Sequence, residues 1–106
     1  MPGETLAESP AFRADLVRRL RCAEGHVRGI AAMVEGGADC ESLVRQTCAV
    51  QAALARVNHL ILKHHLNTCL RETLKGADSA TSDKCLAELV ALFQLLDAPN
   101  NGREVL

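Results

Sequence analysis

Aromatic residues are nearly missing from this 106-residue chain: it has no Trp and no Tyr, and Phe12 and Phe93 are its 2 Phe. That argues against a site that stacks nucleobases or sugars on ring faces. Long apolar runs are missing as well, so no segment is expected to span a bilayer and no membrane partner is expected. The N-terminus is acidic and polar, which does not suit a signal peptide, and a cytoplasmic address is the expectation. An excess of one charge is also absent. The 12 Lys and Arg face 13 Asp and Glu, for a formal net charge of −1, so bulk composition lends no support to nucleic-acid binding. Neither a glycine-rich phosphate cradle nor an orienting acid beside a Cys–His pair is present, and an enzyme is not expected.

What is there is apolar and rich in thiols. Hydrophobic residues make up 48% of the chain, too many for a disordered one. The length suits a single domain over 1–106. A chain this short buries little core alone, a shortage that an oligomer relieves. The 5 cysteines, Cys22, Cys40, Cys48, Cys69 and Cys85, are odd in number and lack the close spacing of a disulfide scaffold. In a reducing compartment they read as buried thiols, metal ligands or redox sensors. Charge is unevenly spread: residues 1–75 carry 10 Lys and Arg against 8 Asp and Glu, and residues 76–106 carry 2 against 5. Arg13, Arg18, Arg19, Arg21 and Arg28 crowd one stretch and give it a local basic face.

The hydrophobic spacing is helical throughout, so the fold class is all-α. Residues 1–8 read as a frayed tail. Ser9-Pro10 starts a first helix over about 10–35, with Ser as N-cap and Pro at the first helical position. Leu16, Leu20, Ala23, Val27, Ile30 and Val34 recur at intervals of four and three, and Gly36-Gly37 stops the helix. Asp39 can cap a second helix over about 40–75, whose apolar row runs Leu43, Thr47, Val50, Leu54, Val57, Ile61. That period is the one used by helices packing nearly parallel to a long partner. Lys75-Gly76 ends this rod of roughly 50 Å. A polar linker, Ala77 to Ser82, leads to a third helix over about 82–97 with Leu86, Leu89, Val90, Phe93 and Leu96 on its buried side. Pro99 and Gly102 mark a loose C-terminus. Three helices with an overlong central member close poorly as a monomer. An antiparallel dimer would combine the first two helices of each copy into a four-helix bundle, and such dimers can pair again.

Cys40, His65 and Cys69 carry the chemistry. His65 and Cys69 stand four apart and share a helix face. Cys40 lies 25 positions before His65, roughly 37 Å away on a continuous helix. One protomer cannot easily bring all three to one ion, whereas two antiparallel copies can. Two thiolates and an imidazole form a soft three-ligand site suited to Cu(I). Taken alone, His65 and Cys69 read as readily as a half-buried histidine and a core cysteine, and Cys40 as a small residue at a helix start. Cys22, Cys48 and Cys85 read as buried hydrophobes rather than ligands. His26 and His59 have no ligand-spaced partner and read as structural or surface residues.

Arg19-Leu20 with Gly25-His26, Asp39-Cys40, the run Cys48-Ala49-Val50-Gln51-Ala52-Ala53-Leu54, and His65-Leu66-Asn67-Thr68-Cys69 resemble the copper-sensing operon repressors, the CsoR family. The resemblance covers roughly residues 12–96. It implies a dimer of helical hairpins paired into a tetramer, with Cys40 of one protomer and His65 and Cys69 of the next ligating Cu(I). It also implies double-stranded operator DNA as the partner, contacted by Arg19 and Arg56, and the basic face adds Arg18 and Arg21. No helix-turn-helix is present, so such binding would rest on phosphates and groove shape. An acid on the third helix links the ligand histidine to the DNA surface in the family, and Glu88 is the match. Relatives that sense nickel or cobalt carry histidine where Cys69 stands, and persulfide sensors lack a histidine at 65. Formaldehyde sensors pair a cysteine matching Cys40 with an N-terminal proline, here Pro2, but lack the second thiol. Glu24 departs from a commonly basic position, Asp39 from an aromatic, and Cys48 from serine. The expectation is a repressor that binds operator DNA in the apo state and leaves it on Cu(I) binding. The alternative is a persulfide- or formaldehyde-sensing repressor using Cys40 and Cys69 or Pro2.

Overall fold

The computed structural model describes residues 9–97. Pro2, Pro99 and Gly102 lie outside the described residues. Within them the chain is all-helical: α1 spans Pro10–Glu35, α2 spans Cys40–Leu74 and α3 spans Ser79–Asp97. No strand occurs among the described residues, and no helix there is long and apolar enough to cross a membrane.

The helix ends follow from local chemistry. Ser9 occupies the N-cap of α1 and Pro10 its first turn, although the Ser9 side chain makes no capping hydrogen bond. At the other end Gly37 takes φ 81°, the left-handed conformation that a Cβ disfavours. This lets Ala38 N donate to Met33 O at 2.9 Å and Gly37 N to Val34 O at 3.1 Å, a Schellman closure that satisfies carbonyls otherwise left open. Asp39 then caps α2, its carboxylate accepting from Ser42 N at 3.0 Å and Ser42 Oγ at 2.8 Å. The same device recurs after α2, where Gly76 takes φ 86°. Ala77 N donates to Glu72 O at 3.0 Å and Gly76 N to Thr73 O at 3.1 Å.

The start of α3 departs from expectation. The helix begins at Ser79, three residues before the expected 82. Asp78 is the reason. Its carboxylate accepts from Thr81 N at 2.8 Å and its carbonyl from Ser82 N at 3.0 Å, so residues that look like a polar linker form the first helical turn.

The chain forms two compact units, one ending at Val57 and one beginning at Asn58, so α2 contributes to both. In the first, His26 Nε2 donates to Gln46 Oε1 at 2.7 Å, tying α1 to the first half of α2. These two residues are equally far from Gly36 along the chain, so the helices run antiparallel. That register sets Ala23 level with Val50 and Leu16 level with Val57, the four buried apolar residues among those described in this unit. Truncating Leu16 to Ala there would cost about 2–5 kcal/mol. The intervening members of each row, Leu20, Val27 and Leu54, are exposed. One hairpin partner covers only a stripe of each helix, and the apolar rows are wider than that stripe.

In the second unit the latter half of α2 and α3 form another antiparallel pair around Gly76. Leu89 is its buried apolar residue, and His65 is buried with it at 6% exposure. Leu86, Val90, Phe93 and Leu96, expected on the buried side of α3, are exposed instead. A single neighbouring helix cannot cover so broad a face. Cys22 and Cys48, expected as buried hydrophobes, are exposed free thiols for the same reason.

Candidate metal centre

His65 and Cys69 lie one turn apart on the latter half of α2, both on the side that faces α3. The reversal at Gly76 and the cap at Asp78 bring α3 back along that side. Cys85 thereby arrives opposite Cys69, with a Cα–Cα distance of 5.7 Å, and the two are joined as a disulfide. One turn further along α3, Glu88 and Leu89 arrive opposite His65.

The donor atoms of His65, Cys69 and Cys85 all lie within 4.8 Å of one another. His65 is buried, and both cysteines are half-buried. The imidazole Nε2 stands 3.3 Å from the Cys85 carbonyl oxygen and 3.8 Å from Glu88 Oε1. A carbonyl only accepts, so in that contact Nε2 is the donor. Two sulfurs and one imidazole nitrogen are a soft donor set that fits Cu(I). Metal–donor bonds of about 2.0–2.3 Å, as in zinc sites, are reached within this span only once the Cys69–Cys85 bond is reduced and its two sulfurs move apart. The fit requires reduced sulfurs, because a thiolate is the ligand and a disulfide sulfur is not.

The expected ligands are thus divided. His65 and Cys69 are together, and Cys40 belongs to the other unit, an exposed free thiol at the first residue of α2. Cys85 completes the three-donor group within one chain, which corrects its reading as a buried hydrophobe. A partial signal for it exists in the sequence: Cys69 and Cys85 are nearly symmetric about Gly76, so an antiparallel turn there allows them to meet once packing has set the register. Glu88, matched through a resemblance alone, does stand beside His65.

The arginines of the basic face are partly neutralised. Arg19 Nε donates to Asp15 Oδ2 at 2.8 Å and Arg18 Nη2 to Asp15 Oδ1 at 2.6 Å. The hydrogen bond from Arg19, then that from Arg18, hold the Asp15 carboxyl below the usual carboxylate range. Arg28 lies 3.8 Å from Glu24. Arg21 and Arg56 are exposed. On the first turns of α2, Arg45 pairs with Glu41.

Residues 13–95 match the family model described as metal-sensitive transcriptional repressor. The chain is 38% identical over 84 residues to the copper-sensing transcriptional repressor CsoR of Mycobacterium ulcerans, covering 78% of this chain and 71% of that protein. It is 34% identical over 87 residues to the copper-sensing transcriptional repressor CsoR of Bacillus subtilis, covering 82% and 83% respectively. To the copper-sensing transcriptional repressor RicR of Mycobacterium tuberculosis it is 40% identical over 80 residues, covering 74% and 81%. No solved structure gave a significant match.

Proposed function

The chain belongs to the metal-sensitive transcriptional repressor family, a non-enzymatic one, and from that membership we propose that it is a Cu(I)-responsive repressor. It holds operator DNA without metal and releases it when Cu(I) binds. The observation that carries this reading is the buried His65 grouped with cysteine sulfur in a chain similar to copper-sensing repressors.

The ligands are His65 and Cys69 of one protomer and Cys40 of its partner. Exposed apolar residues along α1 and α2, among them Val17, Leu20, Val27 and Leu54, supply the face on which a second copy packs. These side chains are already about half covered, so burying the remainder of each contributes roughly 1 kcal/mol, about half of what full burial gives. The dimer joins the two hairpins into a four-helix core and pairs again into a tetramer in the cytoplasm. Bound Cu(I) supplies one positive centre that both protomers must approach.

The DNA face comprises Arg18, Arg19, Arg21 and Arg56, each acting as a phosphate contact. Without a recognition helix, affinity falls steeply with salt. Copper and DNA must then be coupled through two states of the oligomer, by about 1–3 kcal/mol and reciprocally. Glu88 acts as a positioning residue between His65 and that equilibrium.

An anaerobic Cu(I) titration against a competing chelator tests this, run beside fluorescence anisotropy on a duplex from the DNA flanking the chain's own gene. Tight Cu(I) binding with loss of duplex affinity is the expected result. Cys69→Ala should abolish the copper-driven release while still binding the duplex. Full release in that variant, or tight copper with unchanged duplex affinity, would overturn the reading.

A further inference from the structure

Cys85 is a thiol that the copper reading does not use, yet it is bonded to one of the sulfurs that reading requires. Cys69 and Cys85 have their α-carbons 5.7 Å apart on adjacent antiparallel helices, within the range that a disulfide spans without moving the backbone. Both are half-buried, next to the buried His65. The other three cysteines, Cys22, Cys40 and Cys48, are free and exposed. This chain therefore carries a preformed dithiol pair inside its metal centre.

We propose that Cys69 and Cys85 form a reversible thiol–disulfide gate, which closes the metal centre of a single chain on oxidation and opens it on reduction. The proposal rests on the copper reading above. In the reduced form the Cys69 thiolate is available as a ligand beside His65. In the oxidised form its sulfur is tied to Cys85, and the chain's own donors are reduced to the imidazole, leaving a two-donor set of His65 and the partner's Cys40. Oxidation would then mask the copper signal without touching the DNA face.

The oxidant is a low-molecular-weight disulfide such as oxidised glutathione. One protein thiolate attacks a sulfur of that disulfide and expels one small thiolate. The second protein thiolate then attacks the protein sulfur of the mixed disulfide and expels the other. Two protein thiols lose two electrons and two protons, and the small disulfide is reduced to two thiols. The proximity of Cys85 to Cys69 makes the second step intramolecular, so no mixed disulfide persists.

The test uses the full chain, reduced or treated with oxidised glutathione and then freed of it. Peptide mapping after alkylation should find Cys69 linked to Cys85 and Cys40 still alkylatable. Cu(I) affinity, read by chelator competition, should fall by at least about 100-fold on oxidation, because losing even a supporting group of a metal site costs about 10–100-fold. Dithiothreitol should restore it. In Cys85→Ser the Cys69 thiol has no neighbour to displace glutathione, and the adduct should persist at Cys69. Absence of the linked peptide in oxidised wild-type protein would overturn the gate. So would a linked peptide with Cu(I) affinity unchanged to within about threefold, an outcome that also removes Cys69 from the ligand set while leaving Cu(I) binding itself standing. Failure of the reduced wild-type protein to bind Cu(I) would overturn the copper reading and the gate together. The wild-type measurements decide the matter even if the serine variant does not fold.

Discussion

Glu88 of α3 reaches His65 of α2, with Oε1 standing 3.8 Å from Nε2 of the buried imidazole. The same nitrogen faces the Cys85 carbonyl oxygen at 3.3 Å, so two oxygens of α3 hold one edge of the ring. Partners of this kind fix a ligand histidine's tautomer and orientation. Glu88→Gln keeps the side chain's shape and removes its charge. We expect Cu(I) affinity to fall by about tenfold, and the copper-induced loss of duplex affinity to shrink by more than ligand loss alone explains. Chelator competition and anisotropy on one sample separate the two effects. Full copper-induced release at saturating Cu(I) would mean that Glu88 plays no positioning part.

The pairing of Arg18 and Arg19 with Asp15 sets up a second prediction. A carboxylate at 2.6 and 2.8 Å competes with phosphate for both guanidinium groups. Arg19→Ala and Arg56→Ala should each weaken duplex binding and reduce the slope of log affinity against log salt by about 1. Asp15→Asn should do the opposite at low salt and tighten binding. Unchanged salt slopes in both arginine variants would show that the DNA face lies elsewhere.

Acid should loosen the helix starts. Asp39 is held below its ordinary pKa first by the backbone N–H of Ser42, and Asp78 first by that of Thr81. A carboxyl whose folded pKa is depressed contributes stability that is present above the unfolded pKa of about 3.9. That contribution is lost as pH falls through the lower folded value. Helicity followed by circular dichroism should therefore hold to about pH 4 and decline below it. Asp78→Asn retains a capping oxygen without a charge, so the part of the acid decline that belongs to α3 should flatten. An identical acid profile in that variant would remove Asp78 from the account.

Gly76 should resist substitution for backbone reasons alone. Its φ is +86°, and a Cβ built there meets nothing within 4 Å. Gly76→Ala should therefore cost about 1–2 kcal/mol through the left-handed conformation, visible as a lower denaturation midpoint at unchanged slope. Asn, which tolerates that conformation better, should cost less. A neutral Gly76→Ala would mean that the turn relaxes to another conformation.

How much of this was legible beforehand differs residue by residue. The limits of α1 at Pro10 and Glu35, and the start of α2 at Cys40, follow from Pro, Gly and Asp acting on their immediate neighbours. The start of α3 at Ser79 was harder to read, because Asp78 can sit in a linker as comfortably as at an N-cap. Burial was harder still. The rows through Leu20, Val27 and Leu54 have the period of a core and are exposed, since periodicity tells which face is apolar but not what lies against it.

The sequence by itself determined that this chain is helical, where its helices turn, and that His65 and Cys69 share one face. Those properties depend on residues within a turn or two of each other. Only the tertiary structure decided that the third donor of the group in one chain is Cys85, and that Glu88 stands beside His65. Those neighbours come from a separate helix. The register between α2 and α3 depends on the angle of one glycine turn and the packing around it, which no local pattern encodes.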